Sequence, residues 1–312
     1  MLSRVADNLY WMSRYLERAE YTARAVGVHL NLMLERDAGP ETGRWMRLLA
    51  ALGSKEKPEG DAFAALETFA VAQMVNSIAS ARENARQVRE QIGSEVWEEL
   101  NRMFHELKRI GTPEAFRAQP FELVATVNRS AHLFHGIIDS TMLHGEGWQF
   151  IQAGRFIERV QHTVRLLDRH FSDFPADGRE ALNASEHMEW VGLLRSCTAF
   201  EAYCKVYTAE VSPGRIAEFL LLNPEFPHAV RFGADSLARS LEAVQLGAAA
   251  RKADKLAKLA GRLTAALSFT PIEEIMGNLH EFTVGIRRLC GQIHDGIYQA
   301  YITYSIDAAL GS

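Results

Sequence analysis

Apolar residues recur at steps of three and four along the first part of the chain, which is the spacing of one face of an α-helix. The apolar positions are Val5, Leu9, Met12, Leu16, Ala19, Ala23 and Val26. At about 100° per residue, the opposite face is polar and aromatic. It carries Tyr10, Arg14, Glu17, Tyr21 and Arg24. The pattern predicts a long amphipathic helix with one apolar face and one face of charged and aromatic side chains.

The same pattern returns over Phe150–Arg165. The charged positions match as well: Arg14, Glu17 and Arg18 correspond to Arg155, Glu158 and Arg159. We therefore predict one domain over residues 1–312 that arose by internal duplication, with halves of about 1–142 and 143–312. The two helices should then superpose by a rotation near two-fold that carries the first glutamate onto the second.

A second and weaker match links Ala81-Arg-Glu83 with Ala199-Phe-Glu201. Each of these stretches precedes residues that end a helix, and a short helix follows. The match adds Arg82, Glu83 and Glu201 to the candidate residues, since it puts one carboxylate at a corresponding place in each half.

The rest of the chain shows helical periodicity interrupted by glycine and proline, and no segment alternates with the period of two that is typical of strands. We expect an all-α helical bundle. Specific expectations are a helix start at Thr112-Pro113, one long helix over 188–208, separate helices over 62–76 and 80–92, and a capping box at Thr270–Glu273 that begins a last helix toward Ala309.

Composition narrows the class of protein. The net charge of −5 argues against a general nucleic-acid binder. Three cysteines do not form a disulfide framework, so a cytoplasmic location is the simplest expectation. No uninterrupted apolar run is long enough to predict a membrane span.

The charged helix faces have two interpretations. They could be solvated surfaces with weak ion pairs inside each helix, such as Arg14 with Glu17 and Glu20 with Arg24. Alternatively, the two faces meet around a polar cleft, which the interleaved Tyr10 and Trp11 favour. In such a cleft the charges must be paired, and the guanidinium groups would keep the carboxylates ionised. That arrangement favours binding of an anionic ligand, such as a carboxylate or a phosphate, over general-acid catalysis.

Catalytic and metal motifs are weak. A di-iron bundle needs Glu-x-x-His on two helices, which this sequence does not provide. His132, His135 and Asp139 have ligand-like helical spacing, but an ordinary helix surface explains them equally. No phosphate loop and no nucleophile motif is present. We predict no metal and no cofactor, and the sequence does not decide whether the protein is an enzyme.

The opening stretch from Leu2 to Glu20, LSRVADNLYWMSRYLERAE, resembles the start of the bacterial alpha-E domain family. The stretches ARENARQVR from Ala81, GRFIER from Gly154 and AFEAY from Ala199 are similar to that family too. The resemblance implies an all-helical fold. It also implies a role beside circularly permuted ATP-grasp ligases and transglutaminase-like peptidases, in the synthesis or modification of peptides or amides.

Our functional hypothesis is therefore an accessory, substrate-binding or scaffolding protein of such a system. The alternatives are a carboxylate-based transferase or hydrolase, metal-assisted or not, and a homo-oligomeric structural module. The candidate ligand- or partner-binding residues are Tyr10, Arg14, Glu17, Arg18, Arg82, Glu83, Arg155, Glu158, Arg159 and Glu201.

Overall fold

The computed structural model describes residues 1, 3–34, 41–54, 60–174, 182–208, 210–245 and 250–302, and within these ranges the chain is helical with no strands. The helices are α1 (Ser3–Leu32), α2 (Glu41–Leu52), α3 (Ala62–Gln87), α4 (Ser94–Ile110), α5 (Pro113–Ala118), α6 (Pro120–Thr141), α7 (Glu146–Asp173), α8 (Ala184–Ser196), α9 (Phe200–Tyr207), α10 (Pro213–Leu222), α11 (Val230–Gln245), α12 (Ala250–Phe269), α13 (Ile272–Gly277) and α14 (Leu279–Ile297), followed by a π-helical turn at Tyr298–Ile302. The all-α prediction is confirmed.

Helix α1 lies at the centre of the bundle, packed against α3, α6 and α7. Both of its faces are buried: Leu9 and Met12 on the apolar side are fully covered, and so are Tyr10 and Glu17 on the polar side. The interpretation of the charged face as a solvated surface is therefore wrong. A helix that is covered all round must find partners for every polar side chain it carries.

Helices α1 and α7 approach closely because small residues lie where they cross. A Cβ atom added at Gly154 would lie 2.3 Å from the backbone oxygen of Tyr10. The corresponding position in α1 is Ser13, which is also small and fully buried. This close approach brings the long side chains that follow each small residue within reach of the opposite helix.

Local capping explains several helix starts. The Thr112 side chain accepts a hydrogen bond from the Ala115 amide, with Pro113 in the first turn, as predicted. Asn183 and Glu186 form a capping box at the start of α8. The capping box predicted at Thr270–Glu273 is wrong, because α13 begins at Ile272 and Pro271 offers no side-chain cap.

Two helix boundaries differ from prediction. Residues 62–87 form one continuous helix. The predicted long helix over 188–208 is broken, since Thr198 has a positive φ of 51° and separates α8 from α9. The break is stabilised from α1, where Arg24 Nε donates to the Ser196 carbonyl at 2.9 Å. A cation at a helix C-terminus also interacts favourably with the helix dipole.

Helix α3 is the one described helix that is long and apolar enough to cross a bilayer by length and composition, and 44% of its apolar window is buried inside the protein. Core helices meet the same criterion. In this structure α3 packs against α1 and α4.

Candidate functional site

The charged faces of α1 and α7 meet in the middle of the bundle. We call the six residues at this contact the central ion-pair cluster: Arg14, Glu17, Arg18, Arg155, Glu158 and Arg159. The two glutamates are almost completely buried, with side-chain exposures of 1% for Glu17 and 4% for Glu158. The two charged faces approach each other in the structure, as predicted.

Glu158 takes both of its strong ion pairs from α1. Arg14 Nε donates to Glu158 Oε2 at 2.7 Å, and Arg18 Nε donates to Glu158 Oε1 at 2.8 Å. Burial raises the pKa of Glu158, but the charges of Arg14, His162 and Arg18 outweigh it and lower the pKa to about 2. This carboxylate is therefore ionised at neutral pH.

Glu17 takes its partners from α7 in the same way. Arg159 binds it with two hydrogen bonds, from Nε to Oε1 at 2.6 Å and from Nη2 to Oε2 at 2.8 Å. Arg155 Nε lies farther away, 3.9 Å from Glu17 Oε2. Burial raises the pKa of Glu17, and the Arg159 charge outweighs it, so the net shift is downward. Such two-point pairs are geometrically specific and strong.

The predicted pairing of Arg14 with Glu17 inside α1 is thus wrong, and in α7 the ion pairs of Arg155 and Glu158 likewise run to the opposite helix. Each glutamate instead contacts two arginines of the opposite helix, because the close crossing makes the partner helix nearer than the next turn. The Glu17-Arg18 dipeptide pairs with the Glu158-Arg159 dipeptide in a reciprocal exchange.

The cluster has an excess of positive charge. It contains four guanidinium groups and two carboxylates. Arg155 is the weakest-paired member, since its Nε is buried without a hydrogen-bond partner among the described residues. Burial and the neighbouring Arg159 charge lower its pKa. An anion bound beside the cluster would offset this excess.

Aromatic residues close one end of the cluster. The Tyr10 hydroxyl lies 3.0 Å from His294 Nδ1 of α14, and burial raises the pKa of this tyrosine. The Arg14 guanidinium lies over the Trp11 ring at 4.5 Å. Trp11 Nε1 donates to the Tyr298 hydroxyl at 2.7 Å. Tyr10 is thus part of the site, and α14 supplies partners that the sequence did not indicate.

A branch of the cluster extends from α1 to α6. Glu20 Oε1 accepts from Arg24 Nη1 at 2.9 Å, as predicted for this pair, and lies 3.5 Å from His132 Nε2. Glu20 Oε2 lies 3.5 Å from His135 Nε2, and neither atom has a hydrogen-bond partner in the part of the chain that the structure describes. Burial raises the pKa of Glu20, but its contacts with both histidines and Arg24 lower it well below its ordinary value.

Glu17, Glu20 and His135 could hold a metal ion, since one ligand atom from each lies within 4.8 Å of the others and all three side chains are buried. Carboxylate and imidazole ligands suit zinc and similar divalent ions. Two features oppose this use: Arg159 already occupies both oxygens of Glu17, and Arg155 lies beside it. The interpretation of His135 as an ordinary surface residue is wrong, because it is buried against α1.

Three predicted site residues lie elsewhere. Glu83 is exposed on α3 and pairs with Arg86 of its own helix at 2.6 Å, and Glu201 is exposed on α9. Arg82 donates to Asn101 Oδ1 at 2.7 Å and lies over the Phe104 ring. Glu83 and Glu201 therefore do not join the central ion-pair cluster, since both are exposed on other helices.

A second buried ion-pair group was not anticipated. Arg44 of α2 donates twice to Glu189 Oε1 of α8, at 3.0 and 2.9 Å, and Arg47 donates to Glu189 Oε2 at 2.9 Å. Neither half of the repeat indicated these residues. A hint was available in Arg44 and Arg47, which lie three residues apart beside the apolar residues Trp45 and Leu48.

One cavity adjoins the central cluster. Its volume is about 910 Å³, and it lies between α1, the end of α2 and α3. Tyr15 and Arg18 come from α1, and the polar side of the cavity is formed by Gln73, Asn76 and Ser77 of α3. Arg18 therefore connects the buried cluster to a space large enough for a small ligand.

Comparison with known proteins agrees with the helical architecture. Residues 1–302 match the Alpha-E family, described as a predicted alpha-helical domain with a conserved ER motif. Glu17-Arg18 and Glu158-Arg159 are both Glu-Arg dipeptides. No solved structure matches the chain.

Similarity also extends to uncharacterized proteins from Mycobacterium bovis, at 23% identity, and Mycobacterium tuberculosis, at 22% identity. Each match extends over 268 residues, 77% of this chain. The match spans only 29% of the length of these relatives.

Proposed function

The chain belongs to the Alpha-E family, and we propose from this and from the geometry of its site that it is an accessory protein of a bacterial peptide or amide synthesis system. In this proposal it binds substrate for a circularly permuted ATP-grasp ligase and holds the ligase in place. A transglutaminase-like peptidase is the second partner, and the cytoplasm is the compartment.

The observation that carries the proposal is the state of the buried carboxylates. Glu17 and Glu158 are paired with arginines at 2.6–2.8 Å, and the pKa of each is lowered. A general acid at neutral pH needs a raised pKa and a free proton. Ionised, doubly paired carboxylates beside surplus guanidinium groups suit the binding of anions and the positioning of other residues.

The length of the relatives supports a partner. Because the match spans 29% of the mycobacterial proteins, the related segment is one part of a longer polypeptide there. Joining two protein segments in one chain raises their effective concentration, which is useful when they act together. We infer that the Alpha-E segment of the present chain also acts together with another protein segment.

The reciprocal pairing also supports internal duplication. Arg14 and Arg18 contact Glu158, and the corresponding Arg155 and Arg159 contact Glu17. A two-fold relation between the helices requires this exchange of partners. We retain the two-halves proposal on that basis.

The experiment is co-purification with the ATP-grasp ligase encoded nearest to this gene, followed by a ligase assay with and without the protein. We expect a stable complex and a higher rate of amide formation when the protein is present. Absence of a complex together with an unchanged rate would rule out the accessory role.

The Glu20–His135 contact favours a second candidate function, a carboxylate-based transferase or hydrolase. Both facing atoms are buried and unpartnered among the described residues, which is unusual unless something binds between them. Elemental analysis of the purified protein decides whether that occupant is a metal. We expect no stoichiometric transition metal, because three arginines surround the two carboxylates; about one zinc or iron per chain that is lost in His135→Gln would favour the enzyme.

A further inference from the structure

The cavity beside Arg18 has a distinctive charge pattern. Among the described residues that line it, Arg18 is the one charged side chain. The others are small apolar, aromatic or neutral polar. A cavity whose wall contains a cation and no anion selects ligands that carry a negative group.

Arg18 has binding capacity left over. Its Nε and Nη2 both contact Oε1 of Glu158, and that glutamate is shared with Arg14. Nη1 makes no hydrogen bond among the described residues. The Arg18 side chain is 26% exposed, which makes it the most accessible arginine of the central cluster. Because Arg18 shares the single negative charge of Glu158 with Arg14, part of its positive charge is not neutralised. Its free guanidinium edge therefore suits a monoanion such as a second carboxylate.

Gln73 is the second residue that indicates the kind of ligand. Its Oε1 atom is buried in the cavity wall and has no hydrogen-bond partner in the described part of the chain. A buried amide oxygen without a donor costs about 1–3 kcal/mol. The Gln73 side chain is partly exposed, so a rotation that turns this oxygen into the cavity lets it accept from a ligand N–H group and removes that cost. Asn76 and Ser77 line the same side and offer further neutral hydrogen-bonding groups.

The apolar side of the cavity indicates what the rest of the ligand is like. Ala65, Phe69 and Ala72 form a shallow apolar surface along α3. The volume of about 910 Å³ falls within the range of small-ligand sites in proteins, roughly 300–1,000 Å³. This volume is far larger than a bare inorganic ion fills, and it accommodates a short chain with small side chains.

We propose that this cavity binds a small carboxylic acid that also contains an amide N–H, of which a short peptide with a free C-terminus is the simplest example. The carboxylate pairs with Arg18, and the amide N–H donates to Gln73. The proposal rests on the binding role proposed above and deepens it by naming the class of ligand.

The test is isothermal titration of the full chain with three probes: N-acetyl-alanylalanine, its C-terminal amide, and inorganic phosphate. We expect saturable binding of the acid and at least tenfold weaker binding of the amide, because the amide lacks the charge that Arg18 recognises. Phosphate should bind more weakly than the acid. Equal binding of acid and amide, binding of phosphate alone, or no saturable binding of the acid would each overturn the proposal.

Two variants locate the binding. Arg18→Gln removes the cation and should weaken binding of the acid at least tenfold. Because it also disturbs the central cluster, Ala72→Phe is the second variant: Ala72 is exposed and lines the cavity without contacting any charge, so the larger ring fills the space and leaves the ion pairs intact. Arg86→Gln, an exposed arginine on the same helix, is the control and should bind normally. Wild-type affinity in both Arg18→Gln and Ala72→Phe would sink the assignment.

The outcome is distinguishable from failure of the accessory role. Ala72→Phe should lose the dipeptide and keep the ligase complex, because the cavity and the partner surface are then separate. A ligase complex without dipeptide binding would refute the ligand class alone, whereas dipeptide binding without a ligase complex would refute the accessory role alone.

Discussion

Two pairs of glutamates in this protein look alike in sequence and differ in the structure. Glu17 and Glu158 are buried between α1 and α7 and each binds arginines of the opposite helix. Glu83 is exposed and pairs within its own helix, and Glu201 is exposed. Glutamates that sequence similarity within the chain brings into correspondence are therefore buried ion-pair partners in one case and surface groups in the other.

The difference comes from helix packing and not from local sequence. Helix α1 is buried along most of both faces, so Glu17 has almost no access to water and Arg18 alone of its cluster residues reaches the cavity. Helix α3 is covered along one side, and its other side faces solvent and the cavity. Arginine partners lower the pKa of the buried Glu158 and of the exposed Glu83 alike. Only removal of the buried carboxylate leaves an uncompensated charge in the protein interior.

The largest loss of folding stability is expected for Glu158→Ala. The substitution leaves Arg14 buried without its carboxylate and removes the ion-pair partner of Arg18. Breaking one side of a buried pair costs on the order of 3–5 kcal/mol. Urea unfolding should show this loss of stability, and Glu158→Gln should lose less because it keeps the shape and one acceptor oxygen. A change below about 0.5 kcal/mol would mean that the cluster is effectively solvated.

The second effect tests the close crossing that makes the buried pairs possible. Gly154→Ala adds a Cβ that would lie 2.3 Å from the Tyr10 carbonyl oxygen, and a backbone atom cannot move aside as a side chain does. We expect a loss of about 1–3 kcal/mol in thermal or urea unfolding. The control is Gly136→Ala in the middle of α6, where a Cβ meets nothing within 4 Å. That variant should gain up to about 1 kcal/mol, since alanine is the better helix former.

The sequence was sufficient for the fold class and for half of the site. Apolar periodicity and proline or glycine stops are local signals, and they located most helices. The repeat identified Glu17 and Glu158 because charges at matching positions are detectable by alignment. It could not identify their partners, since Arg14 lies equally well placed for a pair within α1 and for a pair across to α7.

What the sequence missed depends on tertiary contact. Glu20 and His135 lie on different helices, so no pattern within one helix pairs them, and only the packing of α6 on α1 brings them to 3.5 Å. His228 lies in the loop before α11, within the only Glu-x-x-His pattern of the chain, Glu225-Phe-Pro-His228. Burial and the charges of Arg159 and Arg24 lower its pKa well below its ordinary value. The break at Thr198 likewise depends on Arg24 from a distant helix.

A smaller effect is expected on pH dependence. The pKa of Glu158 falls from 4.5 to about 2 on folding, so the unfolded state takes up this proton first as the pH is lowered. The stability that Glu158 contributes is therefore complete above about pH 4.5 and is lost as the pH falls toward 2. The neutral Glu158→Gln variant should have a shallower dependence of unfolding free energy on pH in this window. Identical slopes for wild type and variant would show that Glu158 does not keep its low pKa.

The smallest effect is expected on the exposed pair. In Glu83→Ala the lost partner is Arg86, whose side chain is 53% exposed, so water solvates the freed guanidinium. The pKa of Glu83 is about 2, mainly through its hydrogen bond from Arg86, but an exposed group with a solvated partner contributes little to folding. We expect the urea midpoints of Glu83→Ala and Glu201→Ala to match that of wild type.

The informative measurement is then ligase co-purification with the same two variants, because their stability is unchanged and any loss of complex is a loss of contact. If either variant abolishes the complex, the two pairs of glutamates have different roles. Glu17 and Glu158 hold the helices together, and the exposed glutamates contact the partner. If both variants form the complex normally, Glu83 and Glu201 do not contact the ligase, and the partner surface lies elsewhere on the protein.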